Sequence, residues 1–269
     1  MDRYAVIGNP VAHSKSPQIH AEFARQTGEL LIYSALLSPI DGFAMTVAEF
    51  IQAGGKGANV TVPFKLEAFE LGHRLSDRAK AAGAVNTLSF IDGVMIGDNT
   101  DGVGLVRDII SNLDFDIKDR RVLLLGAGGA ARGVMLPLLN ESPASITVAN
   151  RTVARALELA DHFSSQGRIK AMRFDELARE KFDLVINATA ASLGGDALPI
   201  SVEVFAENAL AYDMMYGKDE MPFLKLADEA GARIADGLGM LVEQAAESFF
   251  IWRGVRPDTI PILKQMRGY

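Results

Sequence analysis

Short apolar runs alternate with amphipathic stretches along most of this chain. Residues 4–8 form an apolar run that predicts a strand, and the Ser16-Pro17 pair predicts a helix start. There Ser16 is expected as the N-cap and Pro17 in the first turn, with Ile19, Phe23 and Ala24 facing inward. Leu31–Leu37 predicts a second strand, residues 41–53 a helix stopped by Gly54-Gly55, and residues 57–62 a third strand stopped by Pro63. A helix over residues 103–113 leads into Arg121–Leu125, an apolar run that enters a glycine-rich turn. Further strands are predicted at Ser145–Ala149, Phe182–Asn187 and residues 210–214. The tail from Gly237 is helical, with Leu241, Ala245, Ser248 and Trp252 on one face. Such alternation predicts an α/β protein of two domains with mainly parallel sheets under helical cover, the second domain being of Rossmann type.

Composition narrows the function. With 269 residues the chain has room for about two cores. Its 27 basic and 34 acidic residues leave a charge of -7, so no basic surplus favours nucleic acid or an anionic membrane surface. Any anionic ligand must be met by local groups. Cysteine is absent, which removes disulfides, thiolate nucleophiles and thiolate metal sites, and no metal is expected. The start MDRYAVIGNP lacks the plan of a signal peptide, and no apolar run reaches the roughly 18 residues needed to span a bilayer. A cytoplasmic protein is expected.

The glycine-rich turn carries the first specific chemistry. Gly126-Ala127-Gly128-Gly129-Ala130-Ala131 follows a strand and opens a helix, the context a dinucleotide fingerprint requires. Gly126 permits the tight turn, Gly128 lets the backbone approach a pyrophosphate, and Ala131 allows close helix packing, while free N–H groups at the helix start bind the anion. The next strand ends in Asn150-Arg151-Thr152, with Arg155 shortly after. An NAD enzyme usually places a carboxylate there to hold the ribose 2′-hydroxyl, and a carboxylate would repel a 2′-phosphate. Arginines clamp such a phosphate, so the segment points to NADP. Without the upstream glycine loop, the same arginines read as solvated charges at a helix start.

Other polar residues are ambiguous when taken singly. Ser14 and Ser16 sit beside a helix N-terminus suited to a carboxylate, but a loop serine and an N-cap look the same. Lys65 follows the extended segment from Asn59 to Phe64, and a lone lysine is usually a solvated charge. Asn86-Thr87 and the segment from Asp98 to Gly102 also read as ordinary turn formers.

Taken together, these blocks resemble the shikimate dehydrogenase family. The resemblance rests on Gly8-Asn9-Pro10, the segment from His13 to Pro17, Gly57 through Lys65, the segment from Gly83 to Thr87, Gly97 through Gly104, the glycine loop, Asn150-Arg151-Thr152, and the segment from Asp236 to Met240, in that order. It implies a substrate domain over residues 1–104, an NADP-binding Rossmann domain over 105–236, and C-terminal helices over 237–269 that return to the first domain, with a cleft between the domains. It further implies reversible reduction of 3-dehydroshikimate to shikimate, in the route to aromatic amino acids.

Carried over by position, the resemblance makes Lys65 the acid/base residue, paired with Asp101. Ser14 and Ser16 hold the substrate carboxylate, and Asn59, Thr61, Asn86 and Asp101 contact the ring hydroxyls. Tyr216 lies near the carboxylate, and Gln244 reaches the substrate from the C-terminal helix. Gly126, Ala127, Gly128, Gly129 and Ala130 bind NADP with Asn150, Arg151, Thr152 and Arg155, while Met214 and Gly237 lie along the nicotinamide and Asp77 touches the cofactor. The loop Ala190-Ala191-Ser192-Leu193-Gly194-Gly195 departs from the family's serine-containing pattern, leaving its cofactor role open. Two rivals remain, a quinate/shikimate dehydrogenase of relaxed specificity and a non-catalytic NADP-binding paralogue. The second should show a damaged substrate site, whereas Ser14, Ser16, Lys65, Asn86, Asp101 and Gln244 are all present. The expected state is a monomer or a homodimer.

Overall fold

A computed structural model describes residues 1–191, 196–217 and 221–268. The chain divides into two compact units, one of Met1–Gly104 with the C-terminal segment from Leu241, the other of Leu105–Met240.

The first unit is built on a six-stranded sheet in the order β2-β1-β3-β5-β6-β4. These strands are β1 (Asp2–Gly8), β2 (Leu31–Leu37), β3 (Gly55–Val60), β4 (Arg74–Leu75), β5 (Thr87–Ile91) and β6 (Val94–Asp98). β1 pairs in parallel with β2 and β3, whereas β5 runs antiparallel to both β3 and β6. The reversal comes from Asp92-Gly93, whose φ values of 49° and 76° close β5 and β6 as a tight hairpin of the type that twists with its strands. The sheet is thus mixed, with its parallel part at β2-β1-β3 and a second parallel pair at β4-β6.

Helices α1 (Ser16–Thr27), α2 (Phe43–Gln52), α3 (Lys65–Leu71), α4 (Asp77–Ala82) and α5 (Asp101–Arg107) complete the N-terminal stretch. Helix α1 starts one residue before the expected position, because Ser14 Oγ rather than Ser16 accepts the exposed N–H, that of Ser16 at 3.3 Å. Ser16 is therefore the first helical residue and not the N-cap. Ile19 and Phe23 are fully buried, with His20 between them, while Ala24 is only partly covered. Phe43 stacks on Phe64 at 4.9 Å inside the α2–α3 core. α5 runs on into a wide turn over Asp108–Asn112, where buried Asp108 accepts the Tyr212 hydroxyl at 2.7 Å.

The second unit has an entirely parallel sheet in the order β12-β11-β10-β7-β8-β9. Its strands are β7 (Arg121–Leu125), β8 (Ser145–Ala149), β9 (Ile169–Met172), β10 (Phe182–Asn187), β11 (Phe205–Asp213) and β12 (Arg233–Ala235). Helices α6 (Gly129–Asn140), α7 (Val153–His162) and α8 (Pro222–Glu229) connect them. β7 and β10 are buried on both faces and read as continuous apolar runs, as interior parallel strands must. The order reverses between β7 and β10, giving the doubly wound topology whose ligand sites lie at strand C-terminal ends.

The chain then returns through α9 (Leu238–Arg253) and α10 (Ile260–Arg267). On α9, Val242, Ala245, Ala246, Ser248 and Phe249 are fully buried. Phe249 meets Phe23 edge to face at 5.8 Å, and Trp252 stacks on Tyr4 at 4.6 Å while its indole N–H donates to the Leu88 carbonyl. Each such ring contributes about 1.5–3 kcal/mol by burial, which anchors α9 on β1 and α1. Gly57 is required beneath it, since a Cβ there would lie 2.5 Å from the Trp252 nitrogen. No helix among the described residues is long and apolar enough to cross a membrane, and among them no group of acidic and histidine side chains could hold a metal ion.

Candidate active site

In the first unit, the C-terminal ends of β1 and β3 share one edge of the sheet. Because β5 runs antiparallel to β3, with Thr87 opposite Asn59, the start of β5 reaches that edge too. β6 then brings its own end there, with Asp98 opposite Thr87. The termini of β3, β5 and β6 therefore deliver Asn59, Thr61, Asn86 and the segment from Asn99 to Asp101 to one place beside the end of β1.

The centre of this cluster is an ion pair. Lys65 Nζ lies 2.5 Å from Asp101 Oδ2, with side chains 33% and 21% exposed. Lys65 opens α3, where the helix dipole disfavours a cation, whereas Asp101 opens α5, where it favours an anion. The ammonium is held by the carboxylate and not by its own helix. Asp101 is fixed in turn, since its N–H donates to Asn99 Oδ1 at 3.1 Å and its Oδ1 accepts from Asn86 Nδ2 at 2.8 Å.

The Asn86 amide has only one workable orientation. Its Oδ1 accepts the Thr100 backbone N–H at 2.8 Å, a group that cannot accept in return, so Nδ2 must face the carboxylate. Beneath it, Thr87, Thr100 and Ser248 form a buried hydroxyl cluster, with Thr87 and Ser248 oxygens 2.8 Å apart. Ser248 donates to the Gln244 carbonyl one turn back on α9, and Gln244 itself approaches Asn86 at 3.4 Å. Motif reading did not single out Thr87, Thr100 or Ser248 for this support.

Asn59, expected as a ring contact, lies within the buried polar network under the cluster. It is 6% exposed, its Oδ1 accepts the Tyr33 hydroxyl at 2.7 Å, and its Nδ2 serves Asn86 O, Thr87 and Ser248. An amide engaged at both ends under the cluster supports the site from below. Tyr33, which stacks on buried His20 at 4.0 Å, is a further support not foreseen from the sequence. Among the described residues neither His20 ring nitrogen has a hydrogen-bond partner, and burial pushes its pKa down to about 3.

Ser14 is partly exposed past the end of β1, and Ser16 is 7% exposed on α1. Thr61 is partly exposed and packs against Gly8, where any Cβ would come within 2.4 Å of its methyl. Asp77 is elsewhere on this unit, on exposed α4, paired with Lys80 at 3.3 Å.

The second unit carries most of the residues expected to hold the nucleotide. Gly126 has φ 108°, and a Cβ on it would meet Thr189 at 3.0 Å and the Ala188 backbone at 3.3 Å, so only glycine fits this turn. A Cβ on Gly128 or Gly129 would instead project into open space. Helix α6 begins there without a side-chain cap, leaving first-turn N–H groups without intrahelical partners. Ala127 and Ala130 flank this opening, and fully buried Ala131 lets α6 lie close on the sheet. An open, uncapped helix start over a glycine turn fits a pyrophosphate.

At the end of β8, Asn150 Nδ2 donates to the Thr152 carbonyl at 2.9 Å and turns the chain into α7. Asn150 and Arg151 line a cavity of about 380 Å³ together with Phe174 and Pro199. Arg155, exposed on the first turn of α7, is not part of that wall. Met214 and Gly237 meet below β11, since a Gly237 Cβ would lie 2.3 Å from the Met214 carbonyl oxygen. Tyr216 belongs to this unit and is 40% exposed. Of the unusual 190–195 loop, Ser192 to Gly195 lie outside the described residues.

Three family descriptions match successive parts of the chain. They are the shikimate dehydrogenase substrate binding domain over residues 6–88, shikimate / quinate 5-dehydrogenase over 107–194, and the shikimate 5′-dehydrogenase C-terminal domain over 237–267. The chain is 60% identical to the shikimate dehydrogenase (NADP(+)) of Janthinobacterium sp. (strain Marseille), covering 99% of this chain and 97% of that protein. Among solved structures it is similar to an Ael1 enzyme from Pseudomonas putida, with TM-score 0.95 and 50% identity over 98% of both chains. It is also similar to shikimate 5-dehydrogenase from Thermus thermophilus in complex with NADP(H) and shikimate, with TM-score 0.88 and 33% identity over 99% of both chains.

Proposed function

The chain belongs to the shikimate dehydrogenase family, and from that premise we propose that Lys65 and Asp101 carry the proton transfer of its reaction. It is an NADP-dependent oxidoreductase acting on a CH–OH group, interconverting 3-dehydroshikimate and shikimate in the shikimate pathway. The observation that carries the assignment of roles is the Lys65–Asp101 pair, aligned by an amide with one permitted orientation.

When bound, the nicotinamide supplies hydride to the substrate carbon or accepts it in reverse. The protein must then manage the oxygen. As a ketone is reduced, negative charge grows on its oxygen, and an ammonium beside it both stabilises that charge and donates the proton. Lys65 is suited to this because a third of its side chain remains accessible while Asp101 holds the rest in place. In the oxidative direction the same nitrogen takes the proton back. Asn86 keeps Asp101 from rotating away, and Gln244 and Thr61 present polar groups to the ring. Ser14 and Ser16 hold the carboxylate. Gly126 through Ala130 bind the pyrophosphate, with Met214 and Gly237 toward the nicotinamide, and Arg151 meets the 2′-phosphate.

The proposal extends to action in the cytoplasm by a monomer or a homodimer, which light scattering on the purified protein separates. Mixing purified protein with shikimate and NADP should produce reduced cofactor, and Lys65→Ala should nearly abolish it. No reduction by well-folded protein would overturn the reading.

A further inference from the structure

In the second sheet, β7, β8 and β9 end level with one another, since Leu125 pairs with Ala149 and Ala149 with Met172. Gly126, Asn150 and Arg173 are thus the first residues past three adjacent strand ends, about 4.8 Å apart from strand to strand. The nucleotide motifs occupy the first two ends. The third contributes Arg173, Phe174 and Asp175 to the lining of the same cavity that Arg151 lines.

Two arginines lining one cavity suit a doubly charged ligand group. A phosphate monoester carries about −1.5 to −2 at neutral pH, which one arginine balances only in part. Asp175 also lines the cavity, where an unbalanced carboxylate would repel a phosphate. Arg173 Nε donates to Asp175 Oδ1 at 3.0 Å, and the two side chains are 63% and 68% exposed. An ion pair this exposed is weak, whereas guanidinium and phosphate match in a forked, charge-assisted contact. Exchange of one partner for the other is therefore favourable.

Resting on the reading that Arg151 meets the 2′-phosphate, we propose that Arg173 is a second specificity residue that shares this phosphate, with Asp175 holding it in the free enzyme. Phe174 and Pro199 give the cavity an apolar side suited to the purine.

Calorimetric titration of the full chain with adenosine 2′,5′-bisphosphate and with 5′-AMP isolates the 2′-phosphate, the one group by which the ligands differ. Arg173→Ala should weaken the bisphosphate about tenfold and 5′-AMP less than about twofold, the scale of one charge-assisted contact at an exposed position. Arg173→Lys should recover part of the loss, because a point charge remains without the fork. Asp175→Asn should tighten the bisphosphate by about threefold by releasing Arg173 from a weak surface pair. The double variant Arg173→Ala/Asp175→Asn should stay weak. Full recovery in the double variant would reduce Arg173 to a mask for Asp175 and overturn the proposal, as would equal effects of Arg173→Ala on both ligands. Arg151→Ala is titrated separately, and an undiminished preference for the bisphosphate there would refute the Arg151 reading without touching the Arg173 result.

Discussion

The two sites of this enzyme are built on opposite principles. Around Lys65 and Asp101, nearly every polar group is buried and already paired, through Asn86, Thr87, Thr100, Asn59 and Ser248. Around the glycine loop and Arg151, helix N–H groups and cationic side chains stand open. The first site is finished before substrate arrives, as proton transfer at a fixed atom demands. The second has donors that only an anionic ligand completes. On the proposed roles, groups that carry chemistry are held by the protein, and groups that only bind are left for the ligand to order.

The contrast predicts that the largest effect comes from the finished site. Lys65→Ala should lower turnover by about two to four decades, with a smaller change in the Michaelis constant for shikimate. Combined with Asp101→Ala, it should cost much less than the sum of the single losses, because the pair acts as one unit. Additive losses, read from kcat of the double variant, would separate the two roles.

Next in size, Arg151→Ala should raise the Michaelis constant for NADP about 10- to 100-fold while sparing that for NAD. Its melting temperature should stay at the wild-type value, since Arg151 is exposed. A fall in stability would break the contrast between the two sites. Ser248→Ala should show the reverse signature, a loss of about 0.5–1.5 kcal/mol in denaturant unfolding from the buried hydrogen bonds it removes from Asn59 and Thr87.

His20 gives the same finished region a pH signature. Its folded pKa of about 3 lies below the ordinary value of 6.5, so the unfolded chain binds the proton first as pH falls. Its contribution is fully present above pH about 6.5 and declines by about 1.4 kcal/mol per unit on acidification toward 3. His20→Phe should flatten the stability slope between pH about 6.5 and 4.5, and an unchanged slope would mean that His20 is not the group titrating there. The smallest effect is expected at the substrate rim, where Ser14→Ala should raise the shikimate Michaelis constant by about five- to tenfold and leave turnover largely intact, one neutral hydrogen bond's worth.

What the sequence makes legible follows the same division. The nucleotide site can be read because its backbone geometry demands residue types, glycine at φ 108° and arginine past the next strand. Lys65 and Asp101 come from the family resemblance, since a single lysine or aspartate carries no local signal. The hydrogen bonds of Asn59 are not legible, because a polar residue at a strand end can point to solvent or into a hydroxyl cluster, and only β5 and α9 packing decides. The Asp92-Gly93 hairpin is available as a turn signal and would reveal the antiparallel strands. Arg173 is hidden for another reason: its importance depends on the register of β9 against β8.

The bond between Thr87 and Ser248 spans 161 residues of sequence and closes the first unit with its own C-terminal segment. During synthesis, the N-terminal hundred residues leave the ribosome with Asn59 and Thr87 lacking that partner and Tyr4 lacking Trp252. The inserted unit is complete by Met240 and free to fold at once, while its host must wait for α9. The order of maturation is then expected to run against the order of translation: the inserted half, emerging second, can close on itself while its host still waits for its last long helix.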